Sequence, residues 1–453
     1  MKEQKCCLYQ KILDCCFIYG KIRLNVIFTS LKFLFCIGLT FYSIASIANT
    51  FAPSSITQAN EFRSRLQKVI DHDKAKYNLP ALSVSIHCLS SKKILNITSG
   101  TKTIRSSEPI DANTLFQMGS ITKTYMAVLT LLLESKGRLQ LSDTIDKWLP
   151  QYSKWKNITI AELLNHSSGI YEVDDTNKFW NGIVRSPQRH YHLSELTDFA
   201  YHYQNNFPAG KGYHYTNTDY LLLGMIIEKA THRSVSTNLH REILDVEKFH
   251  LTHTFYFSSL YPKSILNQMA HGYNENGIFP KHTDITSVNA SYMASDGALI
   301  ATPDDVATFV QELFSGEILP EKQLQEMLTL ISPKSGEPVH PEEIQATMRK
   351  QTNEFADIGI GKGIGLVYFK KYGLVWMHAG GTLGYESMYA LNPCDNIIVS
   401  LAYSARKNQS FIFMRILQDI YSAMGHQKIR KTAPHQNLYD ACTTRIIYPS
   451  RIF

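Results

Sequence analysis

The chain has 453 residues, of which 44% are hydrophobic, 19% charged and 11% aromatic. That globular balance excludes an intrinsically disordered or collagen-like chain and leaves room for about two to three domains, or one large domain with insertions. The net charge of +7 is uneven: residues 1–48 carry six Lys/Arg against two Asp/Glu, and the other 405 residues carry 40 against 37, so the body lacks the basic excess of a phosphate-backbone binder and no nucleic-acid partner is expected.

In chain order the first feature is a leader. Phe33–Ala48 (FLFCIGLTFYSIASIA) is uncharged and follows Lys21, Arg23 and Lys32, and it ends in the small residues Ser46-Ile47-Ala48. The pattern predicts a secretory signal cleaved after Ala48, with an uncleaved signal anchor as the alternative; the stretch falls short of the ~20 apolar residues of a comfortable span. Residues 1–48 are therefore read as leader, and the protein is expected to be exported, periplasmic or secreted, with membrane contact only through an uncleaved leader. Five of the eight cysteines (Cys6, Cys7, Cys15, Cys16 and Cys36) fall in this region, leaving Cys88, Cys394 and Cys442. No CxxC pair occurs among those three, so a thiolate metal cluster is not expected, and one disulfide is the most they allow.

Residues 57–77 place Phe62, Leu66, Val69 and Ile70 on one side of a helix. Ala81–Leu89 alternates, with Leu82, Val84, Ile86 and Cys88 on one face and Ser83, Ser85 and His87 on the other, which predicts a half-buried strand with Cys88 in the core. Lys93–Thr98 reads as its hairpin partner. Ser120–Lys136 is apolar almost all round and predicts a buried helix stopped at Gly137. Residues 140–350 are largely helix and loop. Strand-like runs return at Gly365–Phe369, Leu374–Met377, Glu386–Leu391 and Ile397–Ser404, with a turn at Asn392-Pro393-Cys394-Asp395. Phe411–Met424 has a helical period, and residues 426–453 form a polar, basic tail. Strands at both ends and helices between predict an α+β fold. One antiparallel sheet is built from the two ends of the body (49–425) and flanked by terminal helices. A mostly helical insertion, about 110–350, lies between, and the ligand cleft lies between the two.

Three short patterns carry chemistry. Gly119-Ser120-Ile121-Thr122-Lys123 opens the buried helix, and Lys123 shares a helical face with Ser120. A serine needs a neighbouring base, and burial disfavours the ammonium form, so a desolvated Lys123 is expected to serve as that base. The same S-x-x-K spacing at Ser90/Lys93, Ser99/Lys102, Ser153/Lys156 and Ser404/Lys407 falls in turns, strand ends or polar stretches; the rival reading of Ser120 is a helix cap. Tyr215-Thr216-Asn217 precedes a helix over Tyr220–Ala230. A phenol beside a lysine can relay protons and an amide can hold a carbonyl; the rival is a capping Asn beside a packed Tyr, and Tyr203-Gln204-Asn205 is a decoy. His378-Ala379-Gly380-Gly381 ends a strand, where glycines permit close backbone approach; its rival is a hairpin turn with a surface His. His190-Tyr191-His192 with Glu195, and His250 with His253, fit no tight zinc spacing, and no metal is expected. Gly359-Ile360-Gly361-Lys362-Gly363 lacks the G-K-[ST] ending of a phosphate loop and reads as a strand lead-in.

S-x-x-K, then Y-x-N, then H-x-G, in this order, resembles the signature of the penicillin-recognising serine enzymes. The chain is similar to the branch that holds class C β-lactamases, serine D-Ala-D-Ala carboxypeptidases and related esterases. FQMGSITKTYMAVLTLLLESKGRLQLSDTIDKWLP, ITIAELLNHSSGIYEV, PAGKGYHYTNTDYLLLG and HAGGTLGYES look like family segments in family order, over roughly residues 60–425.

The resemblance implies a β-lactamase/transpeptidase-like fold and a set of roles. Ser120 would attack a carbonyl to give an acyl-enzyme, with Lys123 and Tyr215 as the proton relay. Asn217 would contact the substrate's amide. His378 and Gly380 would line the substrate strand, and the backbone N–H groups of Ser120 and Gly381 would form the oxyanion hole. No cofactor is implied. Two departures stand out. His378 replaces the Lys of the lactamase pattern, which removes a fixed cation for a β-lactam carboxylate unless the imidazole is protonated. Gly381 stands where a hydroxyl residue often helps hold a substrate carboxylate, and Lys362 is offered as a substitute anchor. The expectation is an exported serine hydrolase acting on a D-alanyl peptide or a small ester or amide, carboxypeptidase-like or esterase. The alternatives are a class C-like β-lactamase and a non-catalytic penicillin- or peptide-binding protein of the same fold.

Overall fold

Seven antiparallel strands carry the fold, and they come from two separate stretches of the sequence. The computed structural model describes residues 55–89, 93–407 and 411–425; the leader, the tail from residue 426, Ser90 and Cys442 lie outside the described residues. In chain order the main elements are helix α1 (Ser55–Lys76), strands β1 (Ala81–Cys88) and β2 (Lys93–Gly100), and helices α2 (Ile121–Ser135), α3 (Asn217–Thr231) and α4 (Pro303–Phe314). Strands β3 (Phe355–Ile360), β4 (Gly365–Phe369), β5 (Gly373–Gly381), β6 (Glu386–Asn392) and β7 (Ile397–Tyr403) and helix α5 (Ile412–Ala423) follow. The chain divides into two compact units, Met1–Lys68 and Val69–Phe453. In the first, the described residues are the opening part of α1; every strand lies in the second.

The strand order is β2-β1-β7-β6-β5-β4-β3. β1 joins the two stretches, pairing with β7 from Leu82↔Tyr403 to Cys88↔Ile397 and with β2 on its other side. This is the antiparallel α+β sheet that the sequence predicts. β1 departs from the predicted half-buried pattern: Ala81–His87 are all buried, because its central position is covered on both faces. Ser85 and His87 find a shared partner under α4, where Asp304 accepts from Ser85 Oγ at 3.0 Å and meets His87 Nε2 at 2.8 Å. Cys88, expected in the core, is half-buried at the strand end. Cys394 is disulfide-bonded.

Helix α2 is buried without a break from Ile121 to Leu133, as an all-round apolar sequence requires; each fully buried Leu contributes about 2 kcal/mol. It packs against β5, α3 and the short helix Ala294–Gly297. Gly137, just past the C-cap Lys136, takes φ +67°, the left-handed turn that ends the helix. The Asn392 turn forms as predicted, with Asn392 Oδ1 accepting from the Cys394 and Asp395 amides at 3.0 and 3.2 Å. Strand β3 and a small sheet of Phe116–Gln117, Leu299–Ala301 and Thr254–Tyr256 were not predicted. The two or three residues of each strand in the small sheet are too few to show alternation; β3, six residues long, is broken by a register shift between Asp357 and Gly359.

Candidate active site

Glycines set the place of Ser120. Gly119 has φ +51°, and a Cβ there would lie 2.7 Å from Gly381 N and O. A Cβ on Gly380 would lie 1.9 Å from Met118 O. The segment 118–120 therefore lies directly on the end of β5, and Ser387 Oγ fastens it by donating to Met118 O at 2.8 Å. Ser120 stands at the N-cap of α2 but makes no side-chain cap bond, so the capping reading fails and its hydroxyl is free for other work.

One turn on, Lys123 is fully buried. Its Nζ donates to Ser120 Oγ at 3.1 Å, to Asn217 Oδ1 at 2.7 Å and to the Asp296 carbonyl at 2.9 Å. It also lies 5.1 Å from the centre of the Tyr215 ring. The Tyr215 phenol meets both the Lys123 and the Ser120 side chains, and its ring packs on His166 with centroids 4.5 Å apart. Ser120, Lys123, Tyr215 and Asn217 thus converge, although 95 residues separate Ser120 from Tyr215.

The electrostatics correct one expectation. Burial alone pushes the Lys123 amine down, but Tyr215, Asp296 and Glu172 outweigh it and raise Lys123 above its ordinary value. The premise that desolvation frees Lys123 as a neutral base is therefore corrected: its neighbours hold it as an ammonium. Burial raises Tyr215 too, while Lys123 and Ser120 pull it back. Three carboxyls that the sequence reading did not single out surround the ammonium. Burial raises Asp296 to about 8, with Lys123 opposing. Burial and mutual repulsion also raise Asp174, and burial raises Glu172. Glu172 lies inside one of the family-like segments, but nothing local marks Asp296.

Asn217 opens α3, and Thr216, not Asn217, is its cap, accepting from Thr218 N at 3.2 Å. The carboxamide of Asn217 is already engaged, with Oδ1 on Lys123 and Nδ2 donating to Asp174 Oδ2 at 3.1 Å. The decoy Tyr203-Gln204-Asn205 is occupied elsewhere: Asn205 accepts from Trp155 Nε1 at 2.9 Å and Tyr203 stacks on Tyr171.

His378 is not in a surface turn. β5 runs on through Gly381, pairing with β6 to Gly381↔Glu386, whereas its pairing with β4 ends at Met377↔Gly365. Residues 378–381 thus present one unpaired strand edge. Burial and the Lys123 charge lower His378 to about 4, so its imidazole is neutral at neutral pH, with Nδ1 on the Ala379 carbonyl at 2.8 Å. Lys362, offered as a carboxylate anchor, is corrected: it is buried and donates to the Glu326 carbonyl at 3.0 Å and to Glu326 Oε1 at 2.8 Å. His190 and His192 are exposed, and neighbouring Glu195 pairs with Arg189.

Two cavities meet at Tyr215. The first, about 370 Å³, is lined by Ser120, Asn217, Gly381, the three carboxyls and Arg406. The second, about 390 Å³, is lined by His378, Ala379, Phe355, Phe411, Phe413 and Met414. A larger hollow of about 760 Å³ around Lys178, Arg189 and Glu195 holds none of these groups. Among the described residues, no group of three or more His, Cys, Asp or Glu could hold a metal ion.

The sequence profile of the β-lactamase family matches residues 66–421. The chain belongs to the β-lactamase family. Relatives include a penicillin-binding protein of Bacillus subtilis (strain 168), 26% identical over 292 residues, which cover 62% of this chain and 58% of that protein. Protein flp of Staphylococcus aureus (strain N315) is 28% identical over 200 residues, 43% of this chain and 38% of that one. This β-lactamase-family chain thus spans under two thirds of the length of either relative. Among solved structures, a D-amino acid amidase from Ochrobactrum anthropi SV3, in complex with L-phenylalanine amide, matches with TM-score 0.67 and 22% identity, over 82% of this chain and 100% of that one. A penicillin-binding protein from Bacillus halodurans matches with TM-score 0.60 and 20% identity, over 79% and 99%. These likenesses show the shared α+β fold.

Proposed function

We propose that this member of the β-lactamase family is a serine hydrolase working through an acyl-serine. The observation that carries the reading is Lys123 Nζ held between Ser120 Oγ at 3.1 Å and Asn217 Oδ1 at 2.7 Å, with the centre of the Tyr215 ring 5.1 Å away and its phenol facing Lys123 and Ser120. Ser120 Oγ forms a bond to the substrate carbonyl carbon, and the carbonyl's π electrons move to oxygen, where the Ser120 and Gly381 N–H groups receive the charge. In the reacting form Tyr215 is a phenolate whose own proton has gone to solvent, a state made less costly by the adjacent Lys123 ammonium, and this phenolate takes the serine proton as the new bond forms. Collapse breaks the bond to the leaving nitrogen or oxygen, which takes that proton, and water later hydrolyses the ester on Ser120.

The piece that stays on Ser120 lies in the cavity that Ser120 and Gly381 line. The leaving group crosses Tyr215 into the cavity beyond His378. The substrate class is a D-alanyl peptide or a small ester or amide, so the enzyme is carboxypeptidase-like or an esterase. Neutral His378 supplies no cation for a β-lactam carboxylate, which argues against an efficient β-lactamase. The engaged Ser120–Lys123 pair argues against a binding protein without activity. Export is part of the proposal and rests on Phe33–Ala48; a mature N-terminus elsewhere than after Ala48, read by mass spectrometry, would refute cleavage there.

The test is intact-mass spectrometry after incubation with D-Ala-D-Ala peptides, β-lactams, p-nitrophenyl esters and a fluorophosphonate. The expected result is one acyl adduct on Ser120, absent from Ser120→Ala. No adduct with any reagent, or an adduct that persists in Ser120→Ala, defeats the proposal.

A further inference from the structure

Gly381 owes its lack of a side chain to an arginine. A Cβ built there would lie 1.5 Å from Arg406 Nη1, 2.6 Å from its Cζ and 3.4 Å from Nη2. The tip of a guanidinium thus fills the space that a hydroxyl side chain at 381 would take, next to the Gly381 N–H and inside the cavity shared with Ser120. Its near end is tethered: Nε faces Glu386 Oε1 at 3.5 Å, and Glu386 is the residue paired with Gly381 across the ladder. The other Glu386 oxygen accepts from Tyr403 Oη. Among the described residues, Nη1 and Nη2 make no hydrogen bond. A half-exposed guanidinium held by one end, with its two terminal nitrogens unspent in the cavity that Ser120 also lines, is a fork for a carboxylate.

The carboxyls Glu172, Asp174 and Asp296 do not consume that charge. Asp174 accepts from Asn217, Glu172 accepts from the Asn217 and Asp174 amides, and Asp296 faces Lys123 at 3.9 Å. Nor does the second cavity offer an anion a place: Phe355, Phe411, Phe413 and Met414 line it together with the carboxyl of Asp357, and burial holds its two imidazoles, His166 and His378, low.

From this juxtaposition we infer that Arg406 is a specificity residue that holds a carboxylate carried on the acyl half of the substrate, the half that stays bonded to Ser120. The inference rests on the acyl-serine reading for the direction in which the substrate lies. It replaces Lys362 as the anchor, and it places the substrate's negative charge on the retained piece and not on the leaving group.

The experiment uses the full chain and a matched pair, N-succinyl-D-alanine p-nitroanilide and its methyl ester, which differ in one charge on the acyl half. The wild type should favour the free acid by about tenfold in kcat/KM at pH 7 and low salt; partial exposure of the fork limits the gain. In Arg406→Gln the ratio of acid to ester should fall to about one, and Arg406→Lys should keep part of it. Equal rates on the pair in the wild type, or a ratio that survives Arg406→Gln, overturns the inference. Calorimetric titration of Ser120→Ala with the same pair reads the preference without turnover, again with and without Arg406→Gln. Tighter binding of the acid that depends on Arg406, with no turnover by the wild type, upholds the anchor while sinking the acyl-serine reading. Equal binding of acid and ester sinks the anchor alone.

Discussion

The two cavities that share Tyr215 are nearly equal in size, about 370 and 390 Å³, and opposite in character. One is walled by Ser120, Asn217, three carboxyls and Arg406; the other chiefly by apolar groups, among them three phenylalanines and two methionines, with His166, His378 and a single carboxyl, Asp357. The first keeps charges close to a reacting hydroxyl, where a low dielectric makes them strong. The second offers little but apolar contact. A substrate laid across Tyr215 meets electrostatics at one end and burial at the other, so the two ends are selected by different forces.

The sharpest way to break this contrast is to remove the hydroxyl from the charged cavity. Ser120→Ala should lower turnover of any substrate by on the order of 10⁴-fold or more, read with a p-nitrophenyl ester; a change under tenfold would move the reaction elsewhere. Next is the ammonium. Lys123→Ala leaves Glu172, Asp174 and Asp296 facing one another and should cost roughly 10³-fold in kcat/KM, together with about 3 kcal/mol of stability, the scale for stripping one partner from a buried charge group. Parallel kinetics and urea denaturation check it, and an unchanged rate would exclude Lys123 from the relay.

A smaller effect is expected in the apolar cavity. Phe413→Ala should lower kcat/KM by about tenfold for an aromatic leaving group and much less for methanol. Equal losses on both esters would mean that this cavity does not receive the leaving group. The smallest effect is on pH and stability. Asp296, raised to about 8 against 3.8 when unfolded, contributes stability that is full below the lower value and lost as pH rises through the upper one. His378, lowered to about 4 against 6.5, contributes stability present above 6.5 and lost as pH falls through 4. Asp296→Asn should therefore flatten the fall in Tm between about pH 4 and 8, by a few degrees, and His378→Gln the fall between pH 6.5 and 4. A wild-type profile retained in both variants would show that neither group is shifted as described.

The local patterns were legible where they were long or repeated. The all-round apolar run after Ser120 predicts a buried helix, and Ile121–Leu133 are buried without exception. The Asn392 turn and the strands β4, β6 and β7 follow from alternation and turn chemistry. Short pieces escaped, as did the burial of Ser83, Ser85 and His87, because polar residues on β1 say nothing about a helix whose Asp304 receives two of them. Among site residues, the triplets around Ser120, Tyr215 and His378 could be found by order and spacing. Asp296 and Arg406 could not, since each is an ordinary residue until the fold brings it to the cavity. The basicity of Lys123 is hidden in the sequence for the same reason: burial is a property of one residue, but the charges that outweigh it come from residues 49 to 173 positions away.

By itself the sequence determined the family, the helix that carries Ser120 and Lys123, and the strand that ends in two glycines. Each is written in contiguous residues, where periodicity and backbone freedom act locally. Only the tertiary structure decided the protonation of Lys123 and His378, the loss of Lys362 to Glu326, and the guanidinium over Gly381. Electrostatic energy depends on distances through space and on the water excluded between groups, and the chain order of the residues encodes neither.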